Sequence, residues 1–284
     1  MSYAEFAPTA RLARFVRCVW TFTSQAGDDA PQRIVPDGRC ELIVHAGEPY
    51  AEVDTRGKAR AQSRVVFAGQ VTRPLHLRST GPACVIGVRF HSAGARPFLD
   101  RSVREATDVR VPLDQMWIGA GSALGRDVMA CRGMAQRVAL VQEFVQERID
   151  ACIEPPDPLV DACVARIEAT CGDADIASLA ADAGLSRRQL ERRFADVVGV
   201  GPALLASIFR FRSVFDLLER DHARPWTEAA LAAGYYDQSH FIREFRRFVG
   251  CTPTEFVAGA QGLSEALARK QDVAIVQAEP DAAR

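Results

Sequence analysis

The sequence predicts an α+β chain: an N-terminal antiparallel β-sandwich or barrel with appended helices, then a C-terminal all-α domain with two helix-turn-helix units. Three observations predict it. Between residues 14 and 91, short runs rich in Val, Ile and Phe follow one another, with Gly, Pro and Asp turns between them. After residue 93 the apolar spacing changes to that of a helix. From 175 to 256 one helical pattern is written twice, and tandem repetition is far more specific than a single match.

The β-type runs are RFVRCVWTF, RCELIVHA, RVVFAGQ, PLHLRS and ACVIGVRF, and the turn Pro36-Asp37-Gly38 is one of their separators. With no helices between them an antiparallel arrangement is expected, because parallel neighbours need long crossovers. Residues 94–99 and 111–117 read as short helices or turns. Residues 134–153 read as one long amphipathic helix with Val138, Val141, Val145 and Ile149 on a stripe. That stripe fits packing on the chain's own sheet, with contact to a second copy as the sharper alternative. Glu154-Pro155-Pro156-Asp157-Pro158 reads as a stiff, extended boundary that separates the halves. The expected division is therefore a β-rich domain with a helical C-terminal part at 1–154, a proline-rich linker at 155–158, a helical domain at 159–260 and a partly disordered tail at 261–284.

Residues 159–170 open the helical domain with Val160, Val164 and Ile167 inward. The repeat then pairs Ala180 with Ala230, Gly184 with Gly234, Leu190 with Phe241, Phe194 with Phe245, Gly199 with Gly250, and Pro202 with Pro253. The second copy gains one residue, inside its turn. Ser186 with Gln189 forms a capping box before the second helix of the first copy, Asp237 stands in the equivalent place, and Thr252 with Glu255 forms another box. Between the copies Leu204, Ile208, Phe211, Phe215 and Leu218 recur at helical spacing. A helix of about 15 residues there would be roughly 22 Å long and would hold the two units at a fixed separation. In the tail, residues 263–270 read as helical and the end of the chain as disordered.

Composition bounds the function. The chain has 284 residues, 48% hydrophobic and 25% charged, enough for two domains with cores of their own. No apolar run approaches the roughly 18 residues of a membrane span, and MSYAEFAPTARLARF lacks the layout of an export signal, so a cytoplasmic location is expected. The eight cysteines are scattered with no CxxC, as thiols in a reducing compartment would be. A formal net charge of −1 is not that of a typical nucleic-acid binder, and residues 156–260 hold 12 Arg against 15 Asp and Glu. Position matters more than the total: Arg187, Arg188, Arg192, Arg193, Arg243, Arg246 and Arg247 all fall on the second helices of the two copies.

Ala230, Gly234 and Tyr235, followed by Phe241, Phe245, Gly250, Thr252 and Pro253, spell an A-x-x-x-G-[FY] turn, an aromatic and G-x-[ST]-P. On these residues the repeat resembles the DNA-binding domain of AraC/XylS-type bacterial transcription regulators, over about a third of the chain. The first copy departs at Gly201, where that family has Ser or Thr before the proline, which weakens a helix cap. PDGRCELIVH, AGQVTRP and IGVRFHSAGARPFL are similar to the N-terminal domain that accompanies one branch of these regulators.

Helical faces sort the candidate DNA contacts. With Leu190, Phe194 and Val197 inward, Arg188, Glu191 and Arg192 lie opposite; with Phe241, Phe245 and Phe248 inward, Gln238, Ser239, Ile242 and Arg243 do. The resemblance implies base contacts at Arg188, Glu191, Arg192, Gln238, Ser239 and Arg243, and the chemistry agrees, since Arg suits guanine, Gln adenine and Glu a cytosine amine. Arg187, Arg246 and Arg247 are expected on the DNA backbone. Arg193 sits at the flank, as a phosphate or intramolecular partner, and His240 is expected to pack or touch phosphate.

The chain therefore reads as a sequence-specific DNA-binding transcriptional regulator that responds to a small ligand. Trp20, Glu41, His76, Arg89 and His91 are the candidate pocket residues, being polar or aromatic groups within strand-like runs. One alternative is a ligand-independent regulator whose N-terminal domain only dimerises; another is a cupin-like metalloenzyme fused to a DNA-binding domain. Against the enzyme, His45, His76 and His91 form no H-x-H or H-E-x-x-H spacing, and no G-x-S-x-G, Walker or dinucleotide motif occurs. No catalytic residue, metal ligand or cofactor is expected. The expected partners are double-stranded promoter or operator DNA and a small-molecule effector, with RNA polymerase and a second copy of the chain as further candidates and no membrane.

Overall fold

A computed structural model describes residues 2–25, 32–153, 155–222 and 224–259. The tail expectations at 261–284 lie outside these residues. Among the described residues ten strands form two antiparallel sheets: β1 (Ser2–Phe6), β2 (Val16–Ser24), β3 (Gln32–Ile34), β4 (Glu41–His45), β5 (Ala51–Val53), β6 (Ala59–Ala61), β7 (Val65–Ala68), β8 (Leu75–Arg78), β9 (Ala83–Phe90) and β10 (Arg110–Pro112). The larger sheet runs β1-β2-β9-β4-β7-β10 and the smaller β3-β8-β5-β6. Of the two forms expected, the described strands make a pair of sheets and not a closed barrel.

Alternation along the strands gives the larger sheet two apolar faces. Val19, Leu42, Val44, Ile86, Val88 and Phe90 face one way, towards α1 (Arg96–Leu99), α2 (Leu113–Met116), α3 (Ala120–Ala130) and α4 (Met134–Asp150). Trp20, Phe22, Ile43 and Val85 face the other way, against Tyr50 and Leu77 of the smaller sheet's side. The α4 stripe of Val138, Val141, Val145 and Ile149 joins the first face, so it packs on the chain's own sheet. Each such buried side chain contributes about 1.5–3 kcal/mol. Residues 111–117, expected as a short helix or turn, divide into strand β10 and helix α2, because Val111 pairs with Phe67 at the sheet edge.

The helical half comprises α5 (Pro158–Ala169), α6 (Ile176–Asp182), α7 (Arg187–Val197), α8 (Pro202–Arg220), α9 (Trp226–Ala232), α10 (Gln238–Val249) and α11 (Pro253–Gly259). The spacer α8 has 19 residues, longer than expected, and at the standard rise it is about 28 Å long. It serves two cores. Leu205 and Ala206 at its start close the cluster of Leu179, Leu190 and Phe194, while Ile208, Phe211, Phe215 and Leu218 build the cluster of Phe241, Phe245 and Phe248. The turn glycines Gly199 and Gly250 sit at φ +92° and +87°, a conformation that β-carbons oppose, so the repeat extends to the backbone.

The proline run does not keep the halves apart. Asp157 caps α5 by accepting from Leu159 and Val160, and Pro158 occupies the first turn, where its missing N–H costs nothing. The chain then folds back on itself. Thr107 Oγ1 donates to the Gly199 carbonyl (2.7 Å), Arg96 pairs with Asp196 (3.4 Å), and Arg39 bridges to Glu168 (2.9 Å) over the ring of Phe209. Val35 and Ala93 also pack into the two helical cores.

Candidate nucleic-acid interface

Each second helix of the repeat starts at the cap the sequence specifies. Ser186 Oγ accepts from Gln189 N (3.3 Å) while Gln189 Oε1 accepts from Ser186 N (2.8 Å), and Asp237 Oδ1 accepts from His240 N (2.7 Å). These bonds satisfy amides that a helix start leaves free. One face of each helix is then nailed down. Leu190 and Phe194 are fully buried, and Phe241, Phe245 and Phe248 mesh with Phe211, Phe215 and Trp226, for example Phe211 on Phe248 at 5.2 Å and Trp226 on Phe245 at 5.4 Å between centroids. Such pairs add about 0.5–1.5 kcal/mol each beyond their area.

The opposite faces carry the candidate DNA contacts. Arg187, Arg188 and Arg192 on α7, and Gln238, Ser239, Arg243, Arg246 and Arg247 on α10, are all exposed. Among the described residues Arg187, Arg188, Arg192 and Arg243 make no ion pair, so their charge is open to an external anion. Arg246 and Arg247 stand in the last turn of α10, where they also suit the helix dipole, and Arg247 lies over the ring of Phe248 (5.5 Å). Arg193 is half-buried and held by Asp157 (3.1 Å), and His240 packs edge-on against Tyr235 (5.1 Å). Glu191 is half-buried, its carboxylate turned towards Gly201. The residue the second copy gains is Tyr236, which is 90% exposed beside the cap of α10. Sequence reading passed over it, because the motif drew attention to the buried Tyr235.

In the N-terminal half the structure joins three of the five candidate pocket residues. Glu41 lies opposite Arg89 across β4 and β9, and its Oε1 accepts from Arg89 Nε (2.7 Å) and from Trp20 Nε1 (3.0 Å). Gly87 makes this fit possible, since a β-carbon there would overlap the Trp20 ring. Tyr3 stacks on Trp20 at 6.1 Å and donates to Glu5 (2.7 Å), which itself lies 3.9 Å from Arg89. Desolvation opposes the Arg89 charge, but Glu41 and Asp37 outweigh it and hold the guanidinium above its ordinary pKa. Burial pushes the Glu41 carboxyl up, and Arg89 pulls against that rise.

His76 and His91 stand elsewhere. Leu77 packs into the space between the sheets, so its neighbour His76 faces the other way, beside Arg33. His91 follows β9 and lies 3.3 Å from the Ala13 carbonyl. Burial lowers the pKa of both. His45 sits in a third place, linked through Gln62 (3.1 Å) to Glu52, which Arg110 grips with two bonds of 2.9 Å. Burial lowers His45 to about 4.

Asp37, which the sequence marks only as a turn residue, joins the group around Arg89. Its carboxylate lies 4.0 Å from Arg89 and 3.7 Å from Arg212 on α8, and it accepts from Arg39 N (2.9 Å). Its neighbour Gly38, at φ +77°, lets the turn press on Leu205 and Phe209 of the same helix. A turn signal says where a chain reverses, and carries no information on what the reversal will touch.

Two family models match the chain: a domain of unknown function (DUF6597) over residues 4–112, and a helix-turn-helix domain over residues 179–259. No curated protein matches it. Among solved structures, ToxT from Vibrio cholerae O395 bound to (E)-4-(8-methylnaphthalen-1-yl)but-3-enoic acid is 10% identical, with a TM-score of 0.45 over 90% of this chain and 98% of that one. An apo ToxT variant from Vibrio cholerae strain SCE256 is 14% identical, with a TM-score of 0.44 over 86% and 96%. The AraC-like transcriptional activator CuxR is 15% identical, with a TM-score of 0.27 over 72% and 73%. Among the described residues no single helix is long and apolar enough to cross a membrane.

Proposed function

We propose that this chain, a DNA-binding transcription regulator whose residues 179–259 form an AraC-type helix-turn-helix domain, reads two successive major grooves and adjusts that reading to a small effector. The observation that carries the reading is the pair of equivalent helices, α7 and α10, each with a buried apolar face and exposed arginines opposite, mounted on the single helix α8. Arg188, Arg192, Gln238, Ser239 and Arg243 take the bases, while Arg187, Arg246 and Arg247 take phosphates. A hydroxyl-radical footprint of the full-length chain on fragments of its own genome tests this. Two contact clusters about 10 base pairs apart on one face of the duplex are expected. A single cluster, or protection without sequence preference, would sink the two-groove reading.

The effector is proposed to bind between the two sheets, with its polar end at Glu41 and Arg89 and its apolar body along Trp20, Phe22, Ile43 and Leu77. What supports this is the route onward: Arg89 faces Asp37, and Asp37 faces Arg212 on the helix that carries both reading units. A ligand that competes for Arg89 changes the hold of Asp37 on α8, which is a differential contact of the kind allostery needs. A thermal-shift screen of small molecules, repeated with Arg89→Met, checks it. Full regulation by a chimera whose residues 1–155 are replaced by an unrelated dimeriser would instead favour the ligand-independent alternative.

A further inference from the structure

The start of α8 lacks the cap its counterpart has. In the second copy Thr252 Oγ1 accepts from Glu255 N (3.1 Å), and the Glu255 carboxylate accepts from Thr252 N (2.7 Å) and Thr252 Oγ1 (2.8 Å), a complete capping box at α11. In the first copy both partners are gone: Gly201 stands for Thr252 and Leu204 for Glu255, and Gly201 supplies no side-chain cap. The Gly201 backbone does not demand glycine, because φ −70° and ψ 160° are ordinary extended values open to Ser or Thr. What a β-carbon there would meet is Glu191 Oε2, which occupies its place. At the position equivalent to Glu191 the second copy has Ile242, half-buried. A carboxylate therefore stands at both helix starts, from within the helix in the second copy and from the recognition helix in the first.

We propose that Glu191 is a positioning residue and not a base reader: its carboxylate folds back into the space left by Gly201 and stabilises the positive start of α8, so that α7 meets DNA with arginines alone. Gly201 thereby sets specificity at a distance, by deciding where Glu191 points. Serine at 201 would evict the carboxylate, which is the movable end of a flexible side chain, and send Glu191 out beside Arg188 and Arg192. There it would accept from a cytosine amine and repel phosphate. The inference rests on the proposed reading of DNA by α7 for its specificity half, and on the fold alone for its stability half.

The test compares the full-length chain with Glu191→Ala, Gly201→Ser and the double variant, by thermal melting and by selection of binding sites from a randomised pool. Glu191→Ala should lower the melting temperature by about 1–4 °C while leaving base preference in the α7 half-site unchanged. Gly201→Ser should keep the melting temperature, because its hydroxyl restores a cap, and should shift preference at one base pair of the α7 half-site by about tenfold. The double variant should lose that shift and recover the original preference. Relaxed α7 preference in Glu191→Ala with no change in melting temperature would overturn the proposal, as would an unchanged preference in Gly201→Ser. Failure of the unsubstituted chain to select any site would refute the DNA reading, and the melting temperatures would still decide whether Glu191 stabilises the start of α8.

Discussion

Acid should destabilise this protein through His45 before it reaches the ordinary carboxylate range. The imidazole is 1% exposed; its Nε2 meets Gln62 Oε1, and Nδ1 has no partner among the described residues. Burial penalises the imidazolium, whose Nδ1–H would find no acceptor, and nearby Arg64 adds repulsion, so the folded pKa falls to about 4 from its ordinary value of 6.5. The unfolded chain therefore takes up the proton first as pH falls. The stabilisation is complete above about pH 6.5 and is lost as pH drops towards about 4, with a ceiling of about 3 kcal/mol, of which about 2 kcal/mol is gone by pH 5. Burial also lowers His76 and His91, so the pH profile of the unsubstituted protein mixes several groups. Urea unfolding of the protein and of His45→Gln, measured between pH 7.5 and 5, isolates one of them. The stability difference between the two should be constant above pH 7 and should shift by about 2 kcal/mol in favour of the variant by pH 5. Curves that stay parallel across that range would refute the reasoning, because they would show that His45 ionises alike in the folded and unfolded states.

Three further outcomes are expected. Arg192→Ala and Arg243→Ala should each cost about 1–3 kcal/mol of binding and relax preference in different contact clusters, whereas Arg246→Ala should weaken all sequences alike and reduce the salt dependence; site selection at several salt concentrations distinguishes them. Ser186→Ala should cost about 1 kcal/mol of stability in denaturant unfolding with base preference intact, since its hydroxyl bonds to the start of α7. Asp37→Asn leaves Arg89 and Arg212 without their shared counter-ion, and about 1–3 kcal/mol of docking should be lost, seen as faster hydrogen exchange at residues 199–212 with exchange in α10 unchanged.

Local signals determined a great deal. Period, caps and turn glycines are properties of neighbouring residues, so α7, α10 and their inward faces at Leu190, Phe194, Phe241 and Phe245 are legible in the sequence alone. The alternation that puts Val19 on one face and Trp20 on the other was equally local. Short edge strands such as β1 and β3 carried too little pattern, and they form because a neighbour offers free hydrogen bonds. What only the tertiary structure decided are the encounters between residues far apart in the chain. Glu41 meets Arg89 through strand register, His76 turns away because Leu77 takes the inner face, and Asp37 reaches Arg212 because the halves dock across a proline run that promised to separate them. Glu191 is the sharpest instance. Its helical face alone pointed to DNA, and only the folded chain shows its carboxylate filling the space that a β-carbon at Gly201, ten residues on, would take.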